Sequence, residues 1–140
     1  MGRWARGVAE MILLAGCGRV PEAPAGTGAE QVARDYYEAL LRRDWPAAHA
    51  LLLPESRRKC RPAEFADRGR RFVRKLGFEP KELRVRSCEE HGDEAVAHVV
   101  LTGSKGGKRH SARDGLRLRR GEAGWGIVLP PRFGQPQNSG

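Results

Sequence analysis
From Val32 onward the apolar positions recur first at helical and then at strand spacing. Val32, Tyr36, Ala39 and Leu40 fall on one stripe, and Ala33, Tyr37 and Leu41 widen it, which predicts a first helix. Thr27-Gly28-Ala29-Glu30 has the form of a capping box at its start. Asp44 and Pro46 restart a short helix over "PAAHALLL", ending before Pro54. A third helix begins near Pro62. Phe65, Gly69, Phe72, Val73 and Leu76 keep one face of it; acidic and basic residues, Arg68 and Arg71 among them, crowd the other, and Gly77 can cap its end. After "GFEP" the period falls to two. "ELRVRSCEE", "EAVAHVVLTG", "RHSARDGLRLRR" and "GWGIVLP" read as strands, joined by turns at "HGD", "SKGGK" and residues 120–124. Three helices followed by a four-stranded antiparallel meander give an α+β fold, with the helices packed on one face of the sheet. Beyond Pro130 the chain has little to bury, so residues 131–140 are expected to be a disordered tail.

The segment ahead of Thr27 follows neither period. Arg3 and Arg6 form a short positive region, "GVAEMILLAG" resembles the apolar core of a signal peptide, and "LLAGC" looks like the lipobox of bacterial lipoproteins. In that pattern Cys17 takes the lipid, and the small residues before it let an extended backbone pass the peptidase. Glu10 interrupts the apolar run and leaves only Met11 to Ala15 clean; the competing reading is a short buried helix capped by Gly16. "GRVPEAPAGTG" then reads as a tether. The expected organisation is a signal peptide over 1–16, a tether over 17–27 and a domain over 28–130, exported and held at the cell envelope through lipidated Cys17. Gly18 is not the Asp that favours inner-membrane retention in the lipoproteins it resembles.

Composition changes this picture little. The 140 residues are 39% hydrophobic and 31% charged, which fits one domain with a polar surface. Past Cys17 no apolar run approaches the roughly 20 residues that span a bilayer. The net charge of +9 invites a nucleic-acid reading. Arg outnumbers Lys several-fold in an Ala-, Gly- and Pro-rich chain, however, as a GC-rich coding bias would produce. "SRRKCR" and "RGRRFVRK" read most simply as a solvated helix face. Phe65 and Phe72 lie on the buried side, unavailable to stack on bases, which argues against nucleic acid as a partner.

"EQVARDYYEALLRRDWPAAHALLLPESR" resembles the opening of nuclear transport factor 2-like domains, with an aromatic first helix, an "EAL" turn, Asp and a short Ala-rich helix. "GEAGWGIVLP" resembles their last strand, where a Gly turn precedes Trp125 and an aliphatic pair. The resemblance covers most of residues 28–130 and is strongest to small bacterial lipoproteins of DUF4878-like type. It implies a curved sheet wrapped by helices into a cystatin-like cone with a central pocket. The superfamily holds ketosteroid isomerases, dehydratases and non-catalytic binding modules, so fold does not settle function.

Strand parity selects the candidate pocket residues. Ala95, Ala97, Val99 and Leu101 form an apolar face that puts His98 outside. His110 and Asp114 share parity with Leu116 and Leu118, so they are expected to enter the pocket beside Tyr36 or Tyr37, unless Asp114-Gly115 is a bulge that changes the parity. A buried Asp near a Tyr hydroxyl can act as an acid/base pair. His110 and Asp114 lie about 13 Å apart along a strand, too far to share one proton, and both tyrosines are more simply core aromatics. A binding module for an unknown small ligand or envelope protein is the leading reading. An isomerase- or dehydratase-type enzyme and a cytosolic anion-binding protein are the alternatives. No cofactor or metal is expected, since neither Cys60 nor Cys88 has a close Cys or His partner. In an exported chain those two read as a disulfide. A helix of about 25 Å from Cys60 and a strand of about 26 Å back to Cys88 let the sulfurs meet, and the loop would add roughly 3.5 kcal/mol. The alternative is two independent buried thiols.

Overall fold
The computed structural model describes residues 26–135. The signal segment over 1–16, Cys17, nearly all of the tether and residues 136–140 lie outside them. Four helices come first: α1 (Ala29–Leu41), α2 (Trp45–Ala50), α3 (Pro54–Lys59) and α4 (Pro62–Leu76). Strands β1 (Glu79–His91), β2 (Glu94–Lys105), β3 (Lys108–Gly121) and β4 (Gly124–Val128) follow as one antiparallel sheet in the order β1-β2-β3-β4. The α+β expectation holds, with one helix more than the periodicity predicts. Pro54 at the first position of α3 starts a new helix and does not merely stop the old one.

The pattern of alternation explains which sheet face is covered. Ala95, Ala97, Val99 and Leu101 of β2 are each at most 1% exposed. With Leu116, Leu118 and Ile127 they pack against Tyr36, Tyr37 and Leu40 of α1 and Phe65 of α4. The β2–β3 register runs without a break from Glu94↔Arg119 to Lys105↔Lys108, so Asp114-Gly115 is no bulge. In β1 the alternation is broken twice, between Pro80 and Glu82 and between Val85 and Ser87. Leu83 and Val85 therefore oppose Leu101 and Val99, whereas beyond the extra residue Arg86 it is Cys88 and Glu90 that oppose Ala97 and Ala95. Such bulges bend a strand and increase its twist, which curves the sheet around the helices. Gly103 sits at the same bend: a Cβ there would lie 1.8 Å from the Glu79 carbonyl oxygen, so only glycine lets the strands approach. Residues 51–53 cover the β4 edge, through a Leu53 amide bond to the Ile127 carbonyl and an Ile127 amide bond to the Leu51 carbonyl, both 2.9 Å.

Four further expectations are corrected. The capping box does not form: Gly28, in the left-handed region, is the N-cap of α1 and no side chain of the helix caps it. Glu90 on β1 takes that role, accepting from the Thr27 amide (2.9 Å), the Thr27 hydroxyl (2.9 Å) and the Ala29 amide (3.4 Å), while Trp125 Nε1 donates to Thr27 Oγ1 (2.8 Å). Cys60 and Cys88 are free thiols. The strand β1 runs mainly along α1, with α4 meeting it more sparsely. Cys60 consequently sits beside Arg68 and Glu64, and Cys88 beside Glu30 and Glu90. The charged face of α4 is not all solvated, because Arg68 is 8% exposed.

The fourth concerns the tail, which is docked as far as residue 135. Phe133 is 8% exposed and stacks on Phe65 and Phe72, with centroids 5.5 and 5.2 Å away. Arg68 Nε donates to the Phe133 carbonyl at 2.7 Å, and its Nη2 to the carbonyls of Pro130 and Pro131. Arg71 Nε donates to the Gly134 carbonyl at 2.6 Å, and Lys75 reaches that of Gln135. These carbonyls satisfy a guanidinium that would otherwise be buried at high cost.

Candidate functional site
The structure brings three of the four expected pocket residues together. Tyr37 donates its hydroxyl hydrogen to Asp114 Oδ2 at 2.6 Å. Tyr36 packs edge-on against Tyr37 at 5.5 Å. Burial raises the Asp114 carboxyl above its usual range, although the bonds from Tyr37 and the Gly115 amide pull it down. Burial, reinforced by the Asp114 charge, also raises both phenols, so neither ionises near neutrality. The hydroxyl of Tyr36 has no hydrogen-bond partner among the described residues. His110 stays apart. It is exposed and stacks on Phe78 at 5.9 Å, consistent with the long strand spacing to Asp114. Tyr36 is 2% exposed and Tyr37 0%, so the concave side is filled by its own aromatics.

The remaining reactive groups are structural. His49 Nε2 lies 2.7 Å from the Cys60 carbonyl oxygen, to which it donates, and its ring meets Phe65 edge-on. Burial raises both thiols, Cys88 further under Glu30 and Glu90, which keeps them protonated and poorly nucleophilic. Among the described residues no group of three or more His, Cys, Asp and Glu side chains converges to hold a metal. No helix of those residues is long and apolar enough to cross a membrane.

One accessible recess, of about 690 Å³, lies at α3 and α4 between Arg58, Arg61, Glu64, Asp67 and Arg71, and two others lie on the outer face of the sheet. One of about 420 Å³ is lined by Arg86, His98, Val99, Arg113, Asp114 and Gly115. A second of about 300 Å³ shares His98 and Gly115 and continues over Val96, Leu116, Arg117 and Val128 to Pro131. Gly115 faces His98 across the β2–β3 ladder, and a Cβ on it would come within 3.1 Å of the imidazole Nδ1.

No protein-family model matches the chain, and no curated protein matches it in sequence. Solved structures do resemble it. A SEC-C motif-containing protein of Psychrobacter arcticus superposes with a TM-score of 0.58 at 12% identity, over 79% of this chain and 63% of the other, so the chain spans less than two thirds of that protein. A SEC-C motif-containing protein of Rhodopseudomonas palustris gives 0.53 at 21% identity, over 70% and 73%. A Campylobacter jejuni protein described as a candidate NTF2-like transpeptidase gives 0.51 at 12% identity, over 72% and 97%. The fold is NTF2-like. Identities this low carry the architecture and leave activity to be argued from the site.

Within this NTF2-like domain the basic residues divide by task. Arg68, Arg71 and Lys75 hold the C-terminal segment. Arg43, Arg70, Arg117, Arg119 and Arg120 pair with acids. Arg84, Arg86 and Arg113 make no ion pair among the described residues. Sequence parity assigned His98 to the outer face; Arg113, opposite Val100 in the register, joins it there, and the place of Arg86 depends on a bulge with no marker in the local pattern.

Proposed function
We propose that this is an exported envelope protein of the DUF4878-like lipoprotein type, anchored through lipidated Cys17, whose NTF2-like domain is a non-catalytic module binding a small ligand or an envelope protein. The observation that carries the binding reading is the filled concave side. Tyr36, Tyr37 and Phe65 occupy the space a substrate would need, and Asp114 is engaged by Tyr37, while the open recesses lie on the other face of the sheet and at α3 and α4. The anchor rests on "LLAGC" and the Pro- and Gly-containing segment after it. Fully extended, the nine residue-to-residue steps from Cys17 to Gly26 reach about 30 Å, enough to hold the domain clear of lipid headgroups.

Palmitate labelling and membrane fractionation in a bacterial host test the anchor. Labelling and membrane association are expected in the wild type, with globomycin-sensitive processing, and both are expected to vanish in Cys17→Ser. An unlabelled wild-type protein in the cytosolic fraction refutes the export reading and returns the anion-binding alternative. The 2.6 Å Tyr37–Asp114 bond is the feature favouring an isomerase or dehydratase. Turnover of a hydroxy- or keto-substrate lost in Asp114→Asn would establish that alternative.

A further inference from the structure
We propose that the outer face of the sheet carries a binding groove for a single-chain anionic amphiphile, its head held by Arg86 and Arg113 and its tail laid along Val96, Val128 and Pro130. This names a ligand for the module proposed above and rests on that reading. Three observations support it. First, Arg84, Arg86 and Arg113 cluster without an acidic partner among the described residues: Arg84 and Arg113 flank Val100 in the register, and Arg86 is the extra residue of the β1 bulge beside it. An unpaired guanidinium cluster at a recess is suited to bidentate capture of carboxylate or phosphate.

Second, the polarity of the groove changes along its length. The recess at Arg86 and Arg113 shares His98 and Gly115 with one walled by Val96, Val128, Leu129 and Pro130. Val96 is 38% exposed, the one large hydrophobic residue among those described that is left so open. Each recess has a volume within the range of about 300–1,000 Å³ usual for small-molecule sites. Third, Gly115 keeps the floor low where the two compartments meet, since a Cβ there would crowd the His98 ring. Asp114 also lines the head recess, but its carboxylate is turned to the helix side, where Tyr37 donates to it at 2.6 Å, and the other nearby acids lie towards the opposite end. Glu94 pairs with Arg117 at 3.9 Å and Glu55 with Arg119 at 3.0 Å, both away from Arg113 along β3, and Glu89 lies across Val96 on the β1 side with His91 at 4.0 Å. The head therefore belongs at Arg86 and Arg113.

Calorimetry on the full chain, produced without acylation, tests this with defined probes. Dodecanoate and dodecyl phosphate, below their micelle concentrations, are expected to bind one to one. Arg86→Gln with Arg113→Gln should weaken both at least tenfold, about 1.4 kcal/mol, and Val96→Asp should do the same at the tail end. Inorganic phosphate and dodecyl maltoside, each offering half of the ligand, should bind at least tenfold more weakly than dodecyl phosphate. Preference between dodecanoate and dodecyl phosphate tells a free acyl carboxylate from a phosphate-headed lipid. Equal binding of dodecyl maltoside, or indifference to the arginine substitutions, overturns the assignment. So does a dimer that Val96→Asp dissociates while no amphiphile binds, for then a second copy covers the face. Loss of dodecanoate binding with another ligand or partner retained sinks the groove alone, whereas turnover dependent on Asp114 sinks the binding-module reading.

Discussion

Replacing Tyr37 by Phe keeps the ring in the core and deletes only the oxygen that donates to Asp114 at 2.6 Å. At neutral pH the lost bond is to a carboxylate, and bonds to charged groups contribute about 1.5–3 kcal/mol. In acid, with Asp114 protonated, the lost bond joins two neutral groups and is worth about 0.5–1.5 kcal/mol. Burial holds the Asp114 pKa above 3.8, and the Tyr37 bond is a main force restraining that rise. A carboxyl with a raised folded-state pKa stabilises the fold fully below its unfolded value, and that contribution is lost as pH climbs through the folded value. Removing Tyr37's hydroxyl raises the folded value further. The cost of Tyr37→Phe should therefore grow from pH 4 towards neutrality, reaching about 2 kcal/mol. Tyr36→Phe is the control, because it deletes a buried hydroxyl that has no partner and should change stability by less than about 0.5 kcal/mol. Urea titrations at pH 4 and 7.5, followed by far-ultraviolet circular dichroism and tryptophan emission, measure both. A cost for Tyr37→Phe that is equal at the two pH values, or a cost for Tyr36→Phe as large, refutes the reasoning.

Phe133→Ala empties the slot between Phe65 and Phe72 and should cost about 3 kcal/mol in the same urea assay; a loss below about 1 kcal/mol would place residues 131–135 outside the cooperative core. Glu90→Gln should loosen the latch of Thr27 and Trp125. Bonds from the Thr27 amide and hydroxyl hold Glu90 below 4.5, so its contribution is present above that value and lost as pH falls through the lowered one. The wild type and Glu90→Gln should differ in stability and Trp125 emission at pH 7 and converge in acid; a difference persisting at pH 3 would contradict this.

Much of the inner architecture was legible because burial imposes a period. Alternation in β2 placed Ala95, Ala97, Val99 and Leu101 inside and His98 outside, and the same parity paired Asp114 with the tyrosines of α1. His110 shares that parity but not the contact, since alternation sets the side of the sheet and not the distance to a helix. In β1 alternation alone does not assign the faces, because one extra residue at Arg86 puts Cys88 and Glu90 on the helix side. The expected disulfide failed for a related reason. Reach along helix and strand matched, but β1 packs chiefly along α1, and lengths carry no information on which helix covers which strand.

The sequence by itself determined three of the four helices, the meander order and the buried faces of α1 and β2, because these follow from local spacing and from glycine and proline chemistry. Tertiary structure decided everything that needed a partner distant in the chain. Glu90 caps a helix 61 residues away from it, where the local Thr-x-x-Glu motif looked sufficient. Arg68, ordinary in a charged helix face, is buried by carbonyls more than 60 residues on. The outer groove combines a bulge, a glycine opposite a histidine and the turn after β4. A local pattern records whether a side chain is buried; which groups bury it is settled only when the chain closes on itself.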